Sequence, residues 1–164
     1  MKYGYVILIP IFLVFSCTGK TFPVAILRTD EGPIVIAFYD DVPGHVANFL
    51  KLSREGFYEG TVFHRVVPDV LIQGGDPNSK DDNPENDGTG GPGYVIPSEI
   101  IHQHILGAVA AARLPDQVNP NRESNGSQFY ICLSPQPYLD KGYTVFGYVL
   151  EGLEVARKIS NGPV

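Results

Sequence analysis

From Val62 to Pro77 the chain is apolar except for a few positions, among them one arginine, Arg65, and one glutamine, Gln73, and it closes on the pair Gly74-Gly75. Read with period two, this run gives two short strands, Thr61 to Val66 and Val70 to Gln73, hinged at Pro68-Asp69. Folding back at that hinge sets Arg65 and Gln73 on one face, with Val70 and Leu71 beside them. The result is a fixed cation and an amide over an apolar floor. The run holds no serine, cysteine or paired carboxylate, so nucleophilic and two-carboxylate hydrolytic chemistry has little footing in it.

Composition bounds the rest. A chain of 164 residues with 43% apolar and 18% charged content supports one core and one domain. Its formal net charge of −6 and its lack of any Lys/Arg cluster argue against a nucleic-acid partner, which needs a basic face. Lys2 is the only charge before Lys20, and Val6 to Phe15 is apolar apart from Pro10, the pattern of an export leader. The run is too short for a membrane-spanning helix, which takes about 20 apolar residues. The leader ends in Val14-Phe15-Ser16-Cys17, a pattern similar to a bacterial lipobox, so lipid attachment at Cys17 is expected, although Phe15 stands where a small residue is usual. The expected organisation is a signal peptide over 1–17, a linker over 18–21 and a domain over 22–164. Cys132, inside the apolar stretch Gln128 to Leu133, then has no disulfide partner and reads as a small core residue.

Beyond the leader the pattern is mainly β. Strands are expected at Pro23 to Arg28 and Pro33 to Tyr39 around the loop Thr29-Asp30-Glu31-Gly32. A helix is expected from Pro43 to about Glu55, with Val46, Phe49 and Leu50 inward and Gly56 ending it, and a second over Glu151 to Ser160 with Leu153, Ala156 and Ile159 inward. Gly74 to Gly93 is a long polar loop of the kind that carries function. Within it Gly88, Gly90 and Gly93 satisfy G-x-G-x-x-G, but an acidic loop precedes them and Pro92 disrupts the helix start such a site needs, so no dinucleotide site is read there. The acidic residues Asp81, Asp82, Glu85 and Asp87 lack the spacing of a calcium loop and read as solvated. His102 and His104, two apart near Glu99, read as a surface pair rather than a metal site, and no metal or cofactor is expected. Asn125-Gly126-Ser127 fits a glycosylation sequon but is read as a turn entering a strand.

The signature run resembles the cyclophilin family of peptidyl-prolyl cis-trans isomerases, and four further blocks stand in the family's order. They are Asn48-Phe49-Leu50 with Gly56-Phe57-Tyr58, Gly88-Thr89-Gly90-Gly91, Asn125 to Ile131, and Leu139-Asp140 with Val145-Phe146-Gly147. The resemblance covers 22–159. It implies a mainly β fold, a closed eight-stranded antiparallel barrel capped by two helices, and catalysis of X-Pro isomerisation in client proteins. It also implies roles for single residues: Arg65, Gln73 and Gln128 as the catalytic set, and His64, Val70, Leu71, Ala112, Arg113, Tyr130, Tyr138, Leu139 and Tyr143 as the peptide site.

Departures accompany it. Val70 stands where the family has phenylalanine, Ala111 where many members have methionine, and Tyr138 where animal members have tryptophan; Arg113 to Ser124 is longer than in minimal members. Family members also continue beyond the second helix into a strand that closes the barrel, and this sequence stops at Val164, so the expected barrel lacks its last strand. The expected protein is a monomeric, exported isomerase acting on proline-containing peptides and unfolded proteins of the cell envelope, lipid-anchored there or, alternatively, soluble in the periplasm or secreted. The alternative is a non-catalytic proline-peptide binding module or chaperone.

Overall fold

The computed structural model describes residues 7–15 and 21–162. The central hairpin is β2 (Thr21–Thr29) and β3 (Gly32–Phe38), turned where the sequence places it, with the Thr29 hydroxyl donating to Gly32 O at 2.7 Å. After α1 (Pro43–Arg54) the signature run supplies β4 (Arg65–Val67) and β5 (Leu71–Gly74). Val95–Ile96 (β6) pairs with Ser124–Asn125 (β8) in a separate two-stranded ribbon. The main sheet is completed by β7 (Ala108–Ala111), β9 (Phe129–Cys132) and β10 (Val145–Glu151), with α2 (Leu153–Asn161) after them.

Seven antiparallel strands, in the order β2-β3-β10-β7-β9-β5-β4, form a curled sheet, and Ile7–Phe15, labelled β1, pairs antiparallel with the outer edge of β2. The closed eight-stranded barrel that the resemblance implies is not seen among the described residues, where no strand joins β4 to the far edge. Instead α2 packs on both β3 and β5, and the Ser160 hydroxyl accepts from Asp69 N at 3.3 Å, so a helix spans the seam that a strand would close. The first strand of the signature run also differs from its reading, since Thr61 makes only an isolated bridge and Val62 to His64 enter without strand pairing. Glu151 ends β10 rather than beginning α2.

Both faces of the sheet are buried, which is why its central strands read as unbroken apolar runs. On β5, β7 and β9, alternate side chains separate into two clusters. Ile72, Val109, Phe129 and Ile131 point into the main core with Leu27, Ile34, Ile36 and the two helices. Leu71, Ala108, Ala110, Tyr130 and Cys132 form a smaller cluster on the opposite face. Phe49 of α1 anchors the main core, with ring centroids of Phe38, Tyr58, Phe129 and Phe146 all between 5.1 and 5.6 Å from its own. Full burial of such a ring contributes about 1.5–3 kcal/mol.

The helix ends obey local chemistry. Gly56, at φ +69°, closes α1: its N–H and that of Phe57 donate to Ser53 O and Leu52 O, the paired bonds of a left-handed helix terminus. At the other end Val42 offers no capping side chain, and Glu99, far away in sequence, accepts from the N–H groups of Gly44 and His45, both at 3.0 Å. Among the described residues no helix is long and apolar enough to cross a membrane. The expected lipidation site, Cys17, and most of the leader's flanks fall outside the described residues.

Candidate active site

The hinge at Pro68-Asp69 positions the site. Asp69 takes φ 59°, a conformation aspartate tolerates, and the resulting hairpin pairs Arg65 directly with Gln73 and Val67 with Leu71. Directly paired residues share a face of the sheet, so Arg65 Nη1 donates to Gln73 Oε1 at 3.2 Å. Gln73 Nε2 in turn donates to Gln128 Oε1 at 3.0 Å. Gln128 Nε2 ends the chain on two loop carbonyls, Gly88 O at 3.0 Å and Gly90 O at 2.8 Å.

Those carbonyls are where they are because the polar loop is tied down. Gly75 takes φ +83°, and a Cβ there would sit 2.5 Å from Ser127 O, so glycine is required for the chain to pass. Asp76, fully buried, then accepts from Asn78 N at 2.8 Å and Gly90 N at 3.2 Å. Asn125, the would-be sequon residue, uses its whole amide internally: Oδ1 accepts from Ser127 N and Gln128 N, and Nδ2 donates to Gly90 O at 2.9 Å. It forms the turn that was expected. The glycine motif therefore holds a glutamine amide through its carbonyls, a use its spacing did not reveal.

A cleft of ≈ 500 Å³ opens above this chain. Its polar side is His64, Arg65 and Gln73, joined by Asp87 and Gly88. Its apolar side is Leu71, Ala112, Tyr130, Leu139 and Tyr143, with Tyr138 exposed at the rim. A second groove of ≈ 290 Å³ shares Gln73, Gly88, Ala112 and Arg113 and is bordered by Gln128 and by Val118 of the long loop. The structure thus gathers the expected residues with one exception. Val70 does not line the cleft; it packs behind it, against the smaller cluster. Ala111 faces the main core, so its departure from the family pattern falls outside the cleft.

The two arginines of the cleft differ in freedom. Arg113 is engaged on several sides: Nε donates to Gly142 O at 2.6 Å, Nη1 pairs with Asp116 at 2.7 Å, and the guanidinium lies 4.5 Å from the Tyr143 ring centroid. Arg65 is exposed and holds one long hydrogen bond, leaving donors directed at the cleft. Beside it, burial pushes the pKa of His64 below the usual histidine value against the pull of Asp76 and Asp87, so the ring is neutral at ordinary pH.

The histidine pair is the clearest correction. His102 stacks on Tyr39 at 3.8 Å and meets Asp41 at 2.7 Å, but His104 is buried: Nδ1 faces Asp140 Oδ1 at 2.9 Å and Nε2 faces the Tyr130 hydroxyl at 2.9 Å. Glu99 serves neither. It meets His45 Nδ1 at 2.5 Å, and His45 Nε2 meets Ser124 Oγ at 2.8 Å. This has the order of a nucleophile triad, but Ser124 is 1% exposed, so no substrate reaches it and the trio ties α1 to β8. Sequence reasoning missed both relays because their members lie tens of residues apart, with no local spacing to mark them.

Comparison with known proteins identifies the family. A family model described as cyclophilin type peptidyl-prolyl cis-trans isomerase/CLD matches residues 24–164. The chain belongs to the cyclophilins. A peptidyl-prolyl cis-trans isomerase of Synechococcus elongatus is 46% identical over 142 residues, covering 84% of this chain and 89% of that protein. Peptidyl-prolyl cis-trans isomerase B of Bacillus subtilis is 44% identical, covering 84% and 90%. Among solved structures, a Cryptosporidium parvum cyclophilin crystallised in the presence of the dipeptide Ala-Pro superposes with a TM-score of 0.73 at 29% identity, covering 85% of this chain and 86% of that one. This cyclophilin is a peptidyl-prolyl cis-trans isomerase, and its family binds proline-containing peptides.

Proposed function

We propose that the cleft is the catalytic site and that Arg65 is its electrophile. The barrier to X-Pro rotation, roughly 18–20 kcal/mol, comes from resonance across the C–N bond. Twisting that bond returns the lone pair to the prolyl nitrogen, and a donor aimed there stabilises the twisted state more than either planar isomer. The observation that carries this reading is the chain Arg65–Gln73–Gln128–Gly88/Gly90, which fixes one side of Arg65 and leaves its remaining donors free. Proline sits against Leu71, Tyr130, Leu139 and Tyr143, while Gln73, Gln128, His64 and the Ala112-Arg113 segment orient the peptide, with Tyr138 at the margin and Val70 supporting the apolar wall. An acceleration near ~10⁵ takes about 7 kcal/mol, more than one guanidinium supplies, so orientation carries the rest. Replacing Arg65 by alanine is expected to lower kcat by about 10²–10³ in a peptide isomerisation assay while circular dichroism stays unchanged. Full activity in that variant would sink the assignment of Arg65, whereas no catalysis by a folded wild type would leave a peptide-binding module.

On the same reading residues 1–17 hold an export leader ending at Cys17, Cys17 stays on the mature chain and carries a lipid, and the enzyme acts as a monomer on unfolded clients in the cell envelope. Support comes from the apolar run before Cys17 and the lipobox-like residues around it. Fractionated cells should hold the wild type in membranes and a Cys17→Ser variant in the soluble fraction; wild type found soluble would reject the anchor.

A further inference from the structure

Behind the apolar wall of the cleft lies a buried polar relay that stabilisation of the twisted amide by Arg65 does not use. Asp140 Oδ1 accepts twice from His104, from the backbone N–H at 2.7 Å and from Nδ1 at 2.9 Å. A carboxylate facing Nδ1 assigns the ring proton to that nitrogen, which leaves the Nε2 lone pair to accept the Tyr130 hydroxyl proton at 2.9 Å. The two rings lie nearly parallel, 11° apart, and Tyr143 meets both edge-on at 6.1 and 6.4 Å. Tyr130 and Tyr143 both line the cleft.

We propose that His104, held by Asp140, is a positioning residue for the isomerase. It fixes the Tyr130 ring in the wall of the substrate cleft through the ring's hydroxyl, and peptide affinity therefore depends on the charge state of His104. This rests on the cleft being the substrate site.

The chemistry runs through donor and acceptor roles. With His104 neutral, the three groups form one directed chain, Tyr130 O–H to Nε2 and Nδ1–H to Asp140, with no donor left over. Tyr130 is then pinned at its far end before substrate arrives, and the ordering cost of a rotatable wall is already met. A protonated His104 is a donor at both nitrogens. Tyr130 must then turn its own O–H away from Nε2 and give up that bond, toward a wall that Leu139, Ala112 and the Tyr143 ring make mainly apolar. The ring shifts, and the proline pocket with it.

Titratable groups around the relay favour the neutral state at ordinary pH. Burial lowers the His104 pKa, opposed by Asp140, whose own carboxyl is held low by its bonds from the His104 N–H and side chain. Lys141 flanks Asp140 from the same turn. From β9, burial raises the Tyr130 phenol and pushes the Cys132 thiol up to about 12, so both keep their protons. Tyr138 and Arg113 complete the surroundings of Tyr130, and Arg113 is already paired with Asp116. His102 points away, to Asp41.

The test measures kcat and KM on a short X-Pro peptide from about pH 8 to about pH 5, with circular dichroism at each pH. Wild-type KM is expected to rise about fivefold or more toward acid while kcat holds, the equivalent of about 1 kcal/mol. His104→Ala should show that raised KM already at neutral pH. His104→Gln, whose amide oxygen accepts the Tyr130 hydroxyl and does not titrate, should restore KM and keep it flat. Asp140→Asn should move the acid rise to lower pH, because the carboxylate no longer favours the imidazolium. A folded His104→Ala with wild-type KM, or an acid rise that persists in His104→Gln, overturns the proposal. Should His104→Ala fail to fold, the Gln and Asn variants decide alone. Arg65→Ala in the same series separates the two readings: an active Arg65→Ala rejects the cleft itself, whereas its loss beside an indifferent His104 rejects only the relay.

Discussion

Val70 packs its side chain behind the cleft while its backbone holds the wall, its carbonyl accepting from Leu133 N at 2.8 Å. The family resemblance puts a phenylalanine here, and the neighbours of Val70 in the smaller cluster, Leu71, Tyr130 and Leu139, are the apolar wall itself. A phenyl ring reaching past them would add a few tens of Å² of apolar contact to a bound proline, about 1 kcal/mol at ~25 cal/mol per Å². Val70→Phe is therefore expected to raise kcat/KM about fivefold, mostly through KM, in a peptide isomerisation assay. An unchanged or lower kcat/KM in a folded variant would show that this position does not limit binding. Residue roles such as this one came from the family's pattern. What the pattern did not carry is which residues are spent internally: Arg113 matches the peptide groove by position, yet its guanidinium is taken up by Asp116, Gly142 and Tyr143, whereas Arg65 holds Gln73 through Nη1 and, among the described residues, keeps donors to spare.

At the scale of elements, α1 shows how a long-range contact completes a local signal. Pro43 and Gly56 mark its ends in the sequence, but its first turn is satisfied by Glu99, whose carboxylate takes the Gly44 and His45 N–H groups and the His45 ring together. A Cβ on Gly44 would come 3.1 Å from Glu99 Oε2, so a small residue keeps the approach open. Burial raises the Glu99 pKa and its three hydrogen bonds lower it further than that, so the net shift is downward. Glu99→Ala removes a helix cap and leaves a buried histidine without its partner. The expected loss is about 1–2 kcal/mol of unfolding free energy, read as a lower urea midpoint at unchanged slope. No change in midpoint would mean solvent caps the helix equally well. The β2–β3 hairpin and both helices were legible because turn glycines, Pro43 and 3.6-residue periodicity are local signals. The start of β4 was not, because the apolar Val62 and Phe63 are buried by packing rather than by strand pairing.

For the molecule as a whole, three histidines govern its response to acid. His45, His64 and His104 each have their pKa lowered chiefly by burial, against carboxylate neighbours that raise it. Groups with a depressed folded pKa bind fewer protons in the folded state than in the unfolded one as pH falls below the ordinary value of 6.5. Stability is thus fully present above about pH 7 and declines below it, each histidine contributing a slope of up to about 1.4 kcal/mol per pH unit until its own folded pKa is passed. Glu99 and Asp140, with lowered carboxyl pKa values, add a second loss in stronger acid. Urea midpoints at about pH 7.5 and 5.5 should differ in that sense; a midpoint equal or higher in acid would refute it. By itself the sequence determined the β2–β3 hairpin, the two helices, the hairpin that pairs Arg65 with Gln73, and the family, because each rests on local periodicity, turn chemistry or ordered blocks. Only the tertiary structure decided that the sheet curls, that among the described residues α2 lies between β3 and β5, and that His45 and His104 are buried in relays with Glu99, Ser124, Asp140 and Tyr130. Those pairings join residues that no local spacing connects, and burial, which sets both their charge states and their partners, is a property of the packed chain.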